Sequence, residues 1–273
     1  MDYFVRPGLR FNLIDSGPTE APAVVLLHGF PQQPSSFEAV ASRLNAEGLR
    51  TLTPTQRGYT AAARPTRRRD YRTAATAADV IALLDTAGLA KAHIVGHDWG
   101  GNQAWAVAGW YPDRAASLST ISTPHPAAFL KALRTSEQGL RSWYMAFFQL
   151  PMVPEWIARR TVRKSLLGSG LPAKFADHYA EAMAEPGALT GALNWYRGIP
   201  FSTRPPVGRT SVPTTYIWGR HDFALGRAAF ELTADYVVGP YDGVELDAGH
   251  WLPETESDAV ADAILARVRS TQA

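Results

Sequence analysis

The sequence has no cysteine, no long apolar run and almost no net charge, and each absence excludes a class of protein. Without cysteine there is no disulfide framework, no thiolate nucleophile and no cysteine-ligated metal. The formal net charge of +2 at pH 7 is too close to neutral to indicate a nucleic-acid-binding protein. The one basic run, RPTRRRDYR at residues 64–72, is interpreted as a solvated loop.

The amino-terminal stretch MDYFVRPGLRFNLIDSG also contains no long apolar segment. It therefore predicts neither a signal peptide nor a membrane span, and we expect a cytoplasmic protein without a membrane partner. The 273 residues, of which 46% are hydrophobic, suffice for one large α/β domain with a modest insert. Either a monomer or a homodimer is compatible with this composition.

Short apolar runs alternate with helical patterns over roughly the first 120 residues. The run AVVLLH at 23–28 is a continuous apolar run, which is typical of a strand buried on both faces. The run AHIVGH at 92–97 predicts another buried strand. The segment at 73–89 places apolar residues at helical spacing and has a glycine near its end. A further strand is predicted at 117–123. This alternation predicts an α/β fold, in which helices cover a mostly parallel sheet.

The pattern changes after about residue 125. From 126 to 210 the sequence shows amphipathic helical stretches and no convincing buried strand, and strand-like runs return at 214–219 and 242–249. We therefore predict a discontinuous core of residues 1–125 and 211–273, with a helical cap at 126–210 inserted between its two parts.

The stretch VGHDWGG at 95–101 has the form of a nucleophile turn, but an aspartate, Asp98, occupies the nucleophile position. A sharp turn from strand to helix needs small residues on both sides, and Gly96 and Gly100 meet that need. The turn would project Asp98 above the carboxyl edge of the sheet, where open α/β sheets bind ligands. The backbone N–H of Trp99 and that of Phe30, in the loop HGFPQ, are expected to form an oxyanion hole.

Two further residues complete a catalytic pattern. Asp222 follows the predicted strand TTYIW, and His250 follows the predicted strand GVELD. The order nucleophile, acid, histidine is that of the α/β-hydrolase triad, so Asp222 is expected to orient His250, which would activate water. No spacing typical of metal ligands occurs, and neither a metal nor an organic cofactor is expected. The other candidates are interpreted as structural: His28, His97 and His125.

The motifs HGFP, QRGY, GHDWGG, WGRHD and AGHW resemble the α/β-hydrolase superfamily over nearly the whole chain, and in particular its epoxide hydrolases. The resemblance implies the α/β-hydrolase fold, with an inserted helical cap. Two segments of the predicted cap make the resemblance to epoxide hydrolases more specific. YMAFFQLP resembles the family's Tyr-x-x-x-Phe-Gln-x-Pro segment, and GALNWYRG resembles its Asn-Trp-Tyr-Arg segment. The resemblance implies that Tyr144 and Tyr196 hold the epoxide oxygen.

The chain also departs from the family. Thr55 and Gln56 stand where many relatives carry an aspartate before the arginine, and Thr60 where a glycine is common. We expect these residues to affect the shape of the pocket and not its chemistry. Aromatic cap residues are expected to bind an apolar or aromatic epoxide: Trp143, Phe148 and Trp195.

An aspartate nucleophile can attack an sp³ carbon and form an alkyl ester, which activated water then hydrolyses. The expected reaction is therefore the conversion of an epoxide into a vicinal diol. A haloalkane dehalogenase is the nearest alternative: Trp99 suits it, but Phe30 replaces the asparagine common there, unless Trp143 or Trp195 supplies the second donor. An ester or lactone hydrolase, which would need an anhydride intermediate, and a non-catalytic binding protein of hydrolase fold also remain open.

Overall fold

The computed structural model describes residues 1–202 and 206–271, and within them an eight-stranded sheet lies between layers of helices. The strands are Tyr3–Arg6 (β1), Leu9–Ser16 (β2), Ala23–Leu27 (β3), Arg50–Pro54 (β4), Ala92–His97 (β5), Ala115–Ile121 (β6), Thr214–Gly219 (β7) and Tyr241–Leu246 (β8). Their order in the sheet is β1-β2-β4-β3-β5-β6-β7-β8. Only the β1–β2 and β2–β4 pairs are antiparallel. The predicted mostly parallel sheet is confirmed.

Helices follow most of the parallel strands. The α-helices are Glu38–Ala46 (α1), Thr73–Thr86 (α2), Trp99–Trp110 (α3), Pro126–Thr135 (α4), Gln138–Arg141 (α5), Trp143–Phe147 (α6), Val153–Gly168 (α7), Ala173–Ala184 (α8), Ala188–Gly198 (α9), Arg227–Thr233 (α10), Leu252–Thr255 (α11) and Ser257–Ser270 (α12). Within the part of the chain that the structure describes, none of them is long and apolar enough to cross a membrane.

Strand β3 shows why its sequence is apolar throughout. Its side chains alternate between two cores: Val25 and Leu27 pack with α2 and α3 on one face, whereas Val24 and Leu26 pack with α1 and α12 on the other. All four side chains are fully buried. A strand covered by helices on both faces leaves no solvent-facing position, so it loses the alternation of an exposed sheet.

The segment between β6 and β7 runs over the carboxyl edge of the sheet. Over residues 126–201 the structure places helices α4 to α9 and a short 3₁₀ helix, and no strand. Helix α4 packs against α10, which belongs to the carboxyl-terminal part of the chain. The division into a core at 1–125 and 211–273 and a cap at 126–210 stays a prediction, and residues 203–205 of that cap lie outside the described residues.

Candidate active site

Asp98 lies at a strained turn between β5 and α3. Its φ of +50° is in the left-handed region, which non-glycine residues rarely adopt. A Cβ atom on Gly96 would lie 2.1 Å from the carbonyl oxygen of Gly100, and one on Gly100 would lie 2.0 Å from that of Leu27. No side chain fits at either glycine, so the turn depends on both. The turn brings Asp98 to the lining of a cavity above the sheet.

Two backbone N–H groups point at the Asp98 carboxylate. The N–H of Phe30 donates to Oδ1 at 2.8 Å, and the N–H of Trp99 lies close enough to the carboxylate to lower its pKa. Burial raises the pKa of Asp98, whereas His250 and the two N–H groups oppose that rise. The two donors predicted to form an oxyanion hole therefore lie on the same carboxylate.

The loop that carries Phe30 is held from behind by the QRGY segment. The hydroxyl of Tyr59 donates to the carbonyl oxygen of Gly29 at 3.1 Å, and the Gln56 side-chain amide donates to the carbonyl oxygen of His28. The backbone N–H of Gln56 donates to Nε2 of His28 at 3.2 Å. Gln56 is buried and is not among the described residues that line the cavity, so it supports the oxyanion loop and does not shape the pocket wall.

His250 lies between two carboxylates. Its Nδ1 is 2.8 Å from Oδ2 of Asp222, while Nε2 faces Oδ2 of Asp98 at 4.0 Å. The Asp222 carboxylate is itself fixed, because its Oδ1 accepts the backbone N–H groups of Ala224 and Leu225 at 2.8 and 3.0 Å. Burial lowers the pKa of His250, but the attraction of Asp222 and Asp98 outweighs it and leaves that pKa raised. A proton held on Nδ1 leaves the lone pair of Nε2 directed at Asp98.

The two predicted tyrosines line the same cavity as Asp98. Tyr144 lies on α6 and Tyr196 on α9, with ring centroids 6.0 Å apart. Tyr196 packs edge-on against Trp99, at 4.8 Å between centroids. Burial, followed by the negative charge of Asp98, raises the pKa of both hydroxyls well above its usual range. Both hydroxyls therefore keep their protons at neutral pH and can donate hydrogen bonds.

The two cap segments hold each other in place through polar residues whose roles the sequence did not indicate. The Gln149 side-chain amide donates to the carbonyl oxygen of Tyr196 at 2.8 Å, and Nε of Arg197 donates to that of Phe148 at 2.9 Å. Arg197 also forms a bidentate ion pair with Glu155, at 2.5 and 2.9 Å. Gln149 and Arg197 lie inside the two cap segments that resemble the epoxide hydrolases. That resemblance was the one feature of the sequence that could have indicated their importance.

The cavity above Asp98 has a volume of about 480 Å³. Helix α4, to which the sequence assigned no binding residue, supplies much of its wall. The apolar lining residues include Phe129, Leu130, Leu133, Met145, Ile199 and Leu225.

None of the three aromatic residues predicted to bind substrate is among the described residues that line this cavity. Trp143 is 66% exposed and, among the aromatic rings of the described residues, packs against Phe147 alone, so it is not part of the proposed substrate site. Trp195 is buried, and its indole N–H donates to the carbonyl oxygen of Arg57 at 2.7 Å. Phe148 packs edge-on against Tyr196, at 4.9 Å between centroids. Phe148 therefore supports Tyr196, whereas Trp195 ties α9 to the core.

His125 lies where the core passes into the predicted cap. Its Nδ1 accepts the backbone N–H of Ala127, at the start of α4, and its Nε2 is 3.1 Å from the carbonyl oxygen of Gly208. The ring stacks on Tyr236. These contacts fix the direction in which α4 leaves the core.

The α/β-hydrolase-fold family model matches residues 22–257 of the chain. Human epoxide hydrolase 4 is 34% identical over 269 residues, which cover 93% of this chain and 74% of the relative. Epoxide hydrolase A of Mycobacterium tuberculosis is 31% identical and aligns over 94% of each chain.

A solved structure of an epoxide hydrolase is also similar to this chain. The crystal structure of epoxide hydrolase A from Mycobacterium thermoresistibile matches with a TM-score of 0.86 and 28% identity, over 98% of this chain and 97% of that one. The family model spans most of the chain, and the curated relatives exceed 30% identity over nearly all of it. The chain therefore belongs to the α/β-hydrolase superfamily and, within it, to the epoxide hydrolase family.

Proposed function

We propose that this protein adds water to an epoxide and releases a vicinal diol, by way of an alkyl ester on Asp98. One observation carries the proposal: a carboxylate nucleophile and two protonated tyrosine hydroxyls share one cavity. The curated epoxide hydrolases among the relatives support it. Metal and organic cofactors have no part in the proposed reaction.

In the first step a carboxylate oxygen of Asp98 attacks a ring carbon of the epoxide. Oδ1 is held by the N–H of Phe30, so Oδ2, on the side of His250, is the attacking atom. The C–O bond of the ring breaks, and its electron pair stays on the epoxide oxygen. Tyr144 and Tyr196 donate hydrogen bonds to that oxygen, and one of them transfers its proton.

In the second step His250 removes a proton from water through Nε2, and the resulting hydroxide attacks Cγ of Asp98. Negative charge collects on Oδ1, which already accepts the N–H of Phe30 and lies beside that of Trp99. Loss of one such donor typically costs about 3–4 kcal/mol of transition-state stabilisation. Collapse of the intermediate breaks the bond between Cγ and the diol oxygen, which takes the proton held by His250. The second proton of the water returns to the tyrosinate, so the diol leaves and both the Asp98 carboxylate and the tyrosine hydroxyl are restored.

The cavity favours an apolar epoxide, because hydrophobic side chains of α4, α6 and the segment after α9 form much of its wall. A halide leaving group needs N–H donors and no proton. The two tyrosine hydroxyls instead suit an alkoxide, which must be protonated. This difference favours epoxide hydrolysis over dehalogenation.

A substrate panel tests the proposed function. Purified protein should convert aryl and alkyl epoxides into diols and should release no halide from haloalkanes of similar size. Diol and halide are measured side by side in the same reactions. Halide release without diol would assign the protein to dehalogenation and reduce both tyrosines to packing residues.

The double variant Tyr144→Phe/Tyr196→Phe should slow formation of the alkyl ester by about 10²- to 10⁴-fold, because no hydroxyl remains to protonate the epoxide oxygen. Each single variant should retain part of the rate. Phenylalanine keeps the ring packing against Trp99, so folding should be preserved. Single-turnover kinetics measure the step, and Tyr3→Phe, at an exposed tyrosine on β1, is the matched control. An unchanged rate in the double variant would contradict the tyrosine assignment.

A further inference from the structure

Behind His250 lies a chain of polar side chains that the proposed mechanism does not use. It consists of Gln32, His97, Tyr179 and Glu254. Gln32, His97 and Tyr179 are fully buried, and Glu254 follows His250 by four residues, in α11. Buried ionisable groups are costly unless they are paired, so the protonation of this chain requires an explanation.

The orientation of the Gln32 amide is fixed by a backbone donor. The N–H of Gly29 lies 2.7 Å from one amide atom of Gln32, which must therefore be the oxygen Oε1. The nitrogen Nε2 then faces Oε1 of Glu254 at 2.7 Å and donates to it. The hydroxyl of Tyr179 lies 2.9 Å from the same oxygen and also donates to it. Oε1 of Glu254 thus receives two hydrogen bonds, as a carboxylate does.

His97 lies between two atoms that can only accept. Its Nδ1 is 2.7 Å from Oε1 of Gln32, and its Nε2 is 2.9 Å from the carbonyl oxygen of His250. A neutral imidazole has one N–H, so one ring nitrogen would face an oxygen lone pair at less than 3 Å. Only the imidazolium form donates to both oxygens.

The protonation states of His97 and Glu254 have to be considered together, because Gln32 joins the two side chains by hydrogen bonds. Burial, then the neighbouring His250 and His28, lower the pKa of His97, and burial raises the pKa of Glu254 to about 7. Burial by itself therefore opposes a charge on either group, so the charged pair has to be stabilised by its hydrogen bonds. Oε2 of Glu254 has no hydrogen-bond partner among residues 1–202 and 206–271, so it favours neither the charged nor the neutral form. The contacts of His97 favour the imidazolium form over this effect of burial, because each of its ring nitrogens faces an acceptor that only an N–H satisfies.

We propose that Glu254 and His97 form a buried carboxylate–imidazolium pair, bridged by the amide of Gln32, that positions the catalytic base and the oxyanion loop. His97 donates to the carbonyl oxygen of His250, which Ser122 also binds, at 3.0 Å. Gln32 holds the N–H of Gly29, next to the Phe30 N–H that binds Asp98. The positioning role rests on the proposed function, whereas the charge state of the pair does not.

The charge state is measured directly, on the wild-type protein, by ¹⁵N NMR of labelled histidine. Both ring nitrogens of His97 should carry protons at pH 7, and the signals are assigned by their loss in His97→Gln. The chain has seven histidines, so such spectra are tractable. A single protonated nitrogen on His97 would overturn the proposal, whatever the activity of the protein, and this measurement needs no substitution at position 254.

The variant Glu254→Gln removes the negative charge and nearly preserves the shape of the side chain. His97 should become neutral, and hydrolysis of the alkyl ester should slow by between about tenfold and 100-fold, because small displacements of catalytic groups have effects of that size. The matched control is Glu181→Gln, at an exposed position on α8, the helix that carries Tyr179.

The double variant Gln32→Glu/Glu254→Gln moves the carboxylate to the other end of the same hydrogen bond. The carboxylate introduced at position 32 would face His97 directly, and the amide introduced at position 254 would donate to that carboxylate. The ring should therefore regain its charge, and most of the rate should return. This rescue separates a charge effect from a packing defect. A charged His97 in Glu254→Gln, or a double variant as slow as the single one, would overturn the pairing.

Discussion

The variant Asp98→Ala should form no measurable diol from any epoxide that the wild-type protein hydrolyses. Loss of the covalent nucleophile in a hydrolase costs about 10⁶-fold in turnover. Alanine removes both carboxylate oxygens, including the one that faces His250. The donors at Phe30 and Trp99 remain, but no ester forms for them to act on. The diol formed above the level of a protein-free control measures residual turnover.

Folding of this variant must be checked separately, because residue 98 has a φ of +50°. Aspartate tolerates a positive φ better than alanine does, so thermal unfolding should show a modest loss of stability with one cooperative transition. Asp98→Asn, which tolerates a positive φ better, is the second variant. Diol formation by a folded Asp98→Ala protein near the wild-type rate would mean that water attacks the epoxide directly, without an ester.

The parallel core could be predicted because burial on both faces leaves a local mark. Strand β3 lies in a continuous apolar run and β5 has an apolar centre, and the bounds of both strands agree with the predicted segments to within one residue. Strand β6 is different: it spans Ala115–Ile121 where 117–123 was predicted. The start of β6 depends on its pairing with β5, which includes a register shift between Ala92 and His93. No pattern within the residues of β6 itself indicates where that pairing begins.

The residues of the proposed triad could be identified because Asp98 directly follows β5, Asp222 lies three residues after β7 and His250 four residues after β8. Parallel strands end at one edge of the sheet, so these positions lie near one another. The hydrogen bond between Gln32 and Glu254 could not be predicted, since these residues lie 222 positions apart and neither belongs to a periodic pattern. The same holds for the links between the two cap segments. Contacts of this kind depend on how helices pack across the sheet edge, and a single sequence does not encode that in local spacing.

The aromatic cap residues show a further limit. Helix α6 has five residues, which is too short for apolar spacing to reveal its buried face. Trp143 and Tyr144 are neighbours on it, and adjacent residues of a helix do not share a face. Tyr144 lines the cavity while Trp143 is exposed, although both are large aromatic residues in a recognised segment.

Replacing His250 by glutamine should separate the two proposed steps. Attack by Asp98 needs no base, because the carboxylate is itself the nucleophile, so the ester should still form. Its hydrolysis needs a group that removes a proton from water, and loss of that group should slow it by about 10²- to 10⁴-fold. The variant should therefore accumulate an adduct whose mass exceeds that of the free protein by the whole mass of the epoxide.

Intact-protein mass spectrometry measures this adduct, and peptide mapping should place it on Asp98. His221→Gln is the matched control: His221 is exposed, binds Asp247 at 2.8 Å and should leave turnover and mass unchanged. Asp98→Ala/His250→Gln should gain no mass, which ties the adduct to the carboxylate. A His250→Gln protein that neither gains mass nor turns over would show that the imidazole is required before the ester forms. In that case the gap of 4.0 Å between Nε2 and Asp98 would mark a role for His250 in the first step.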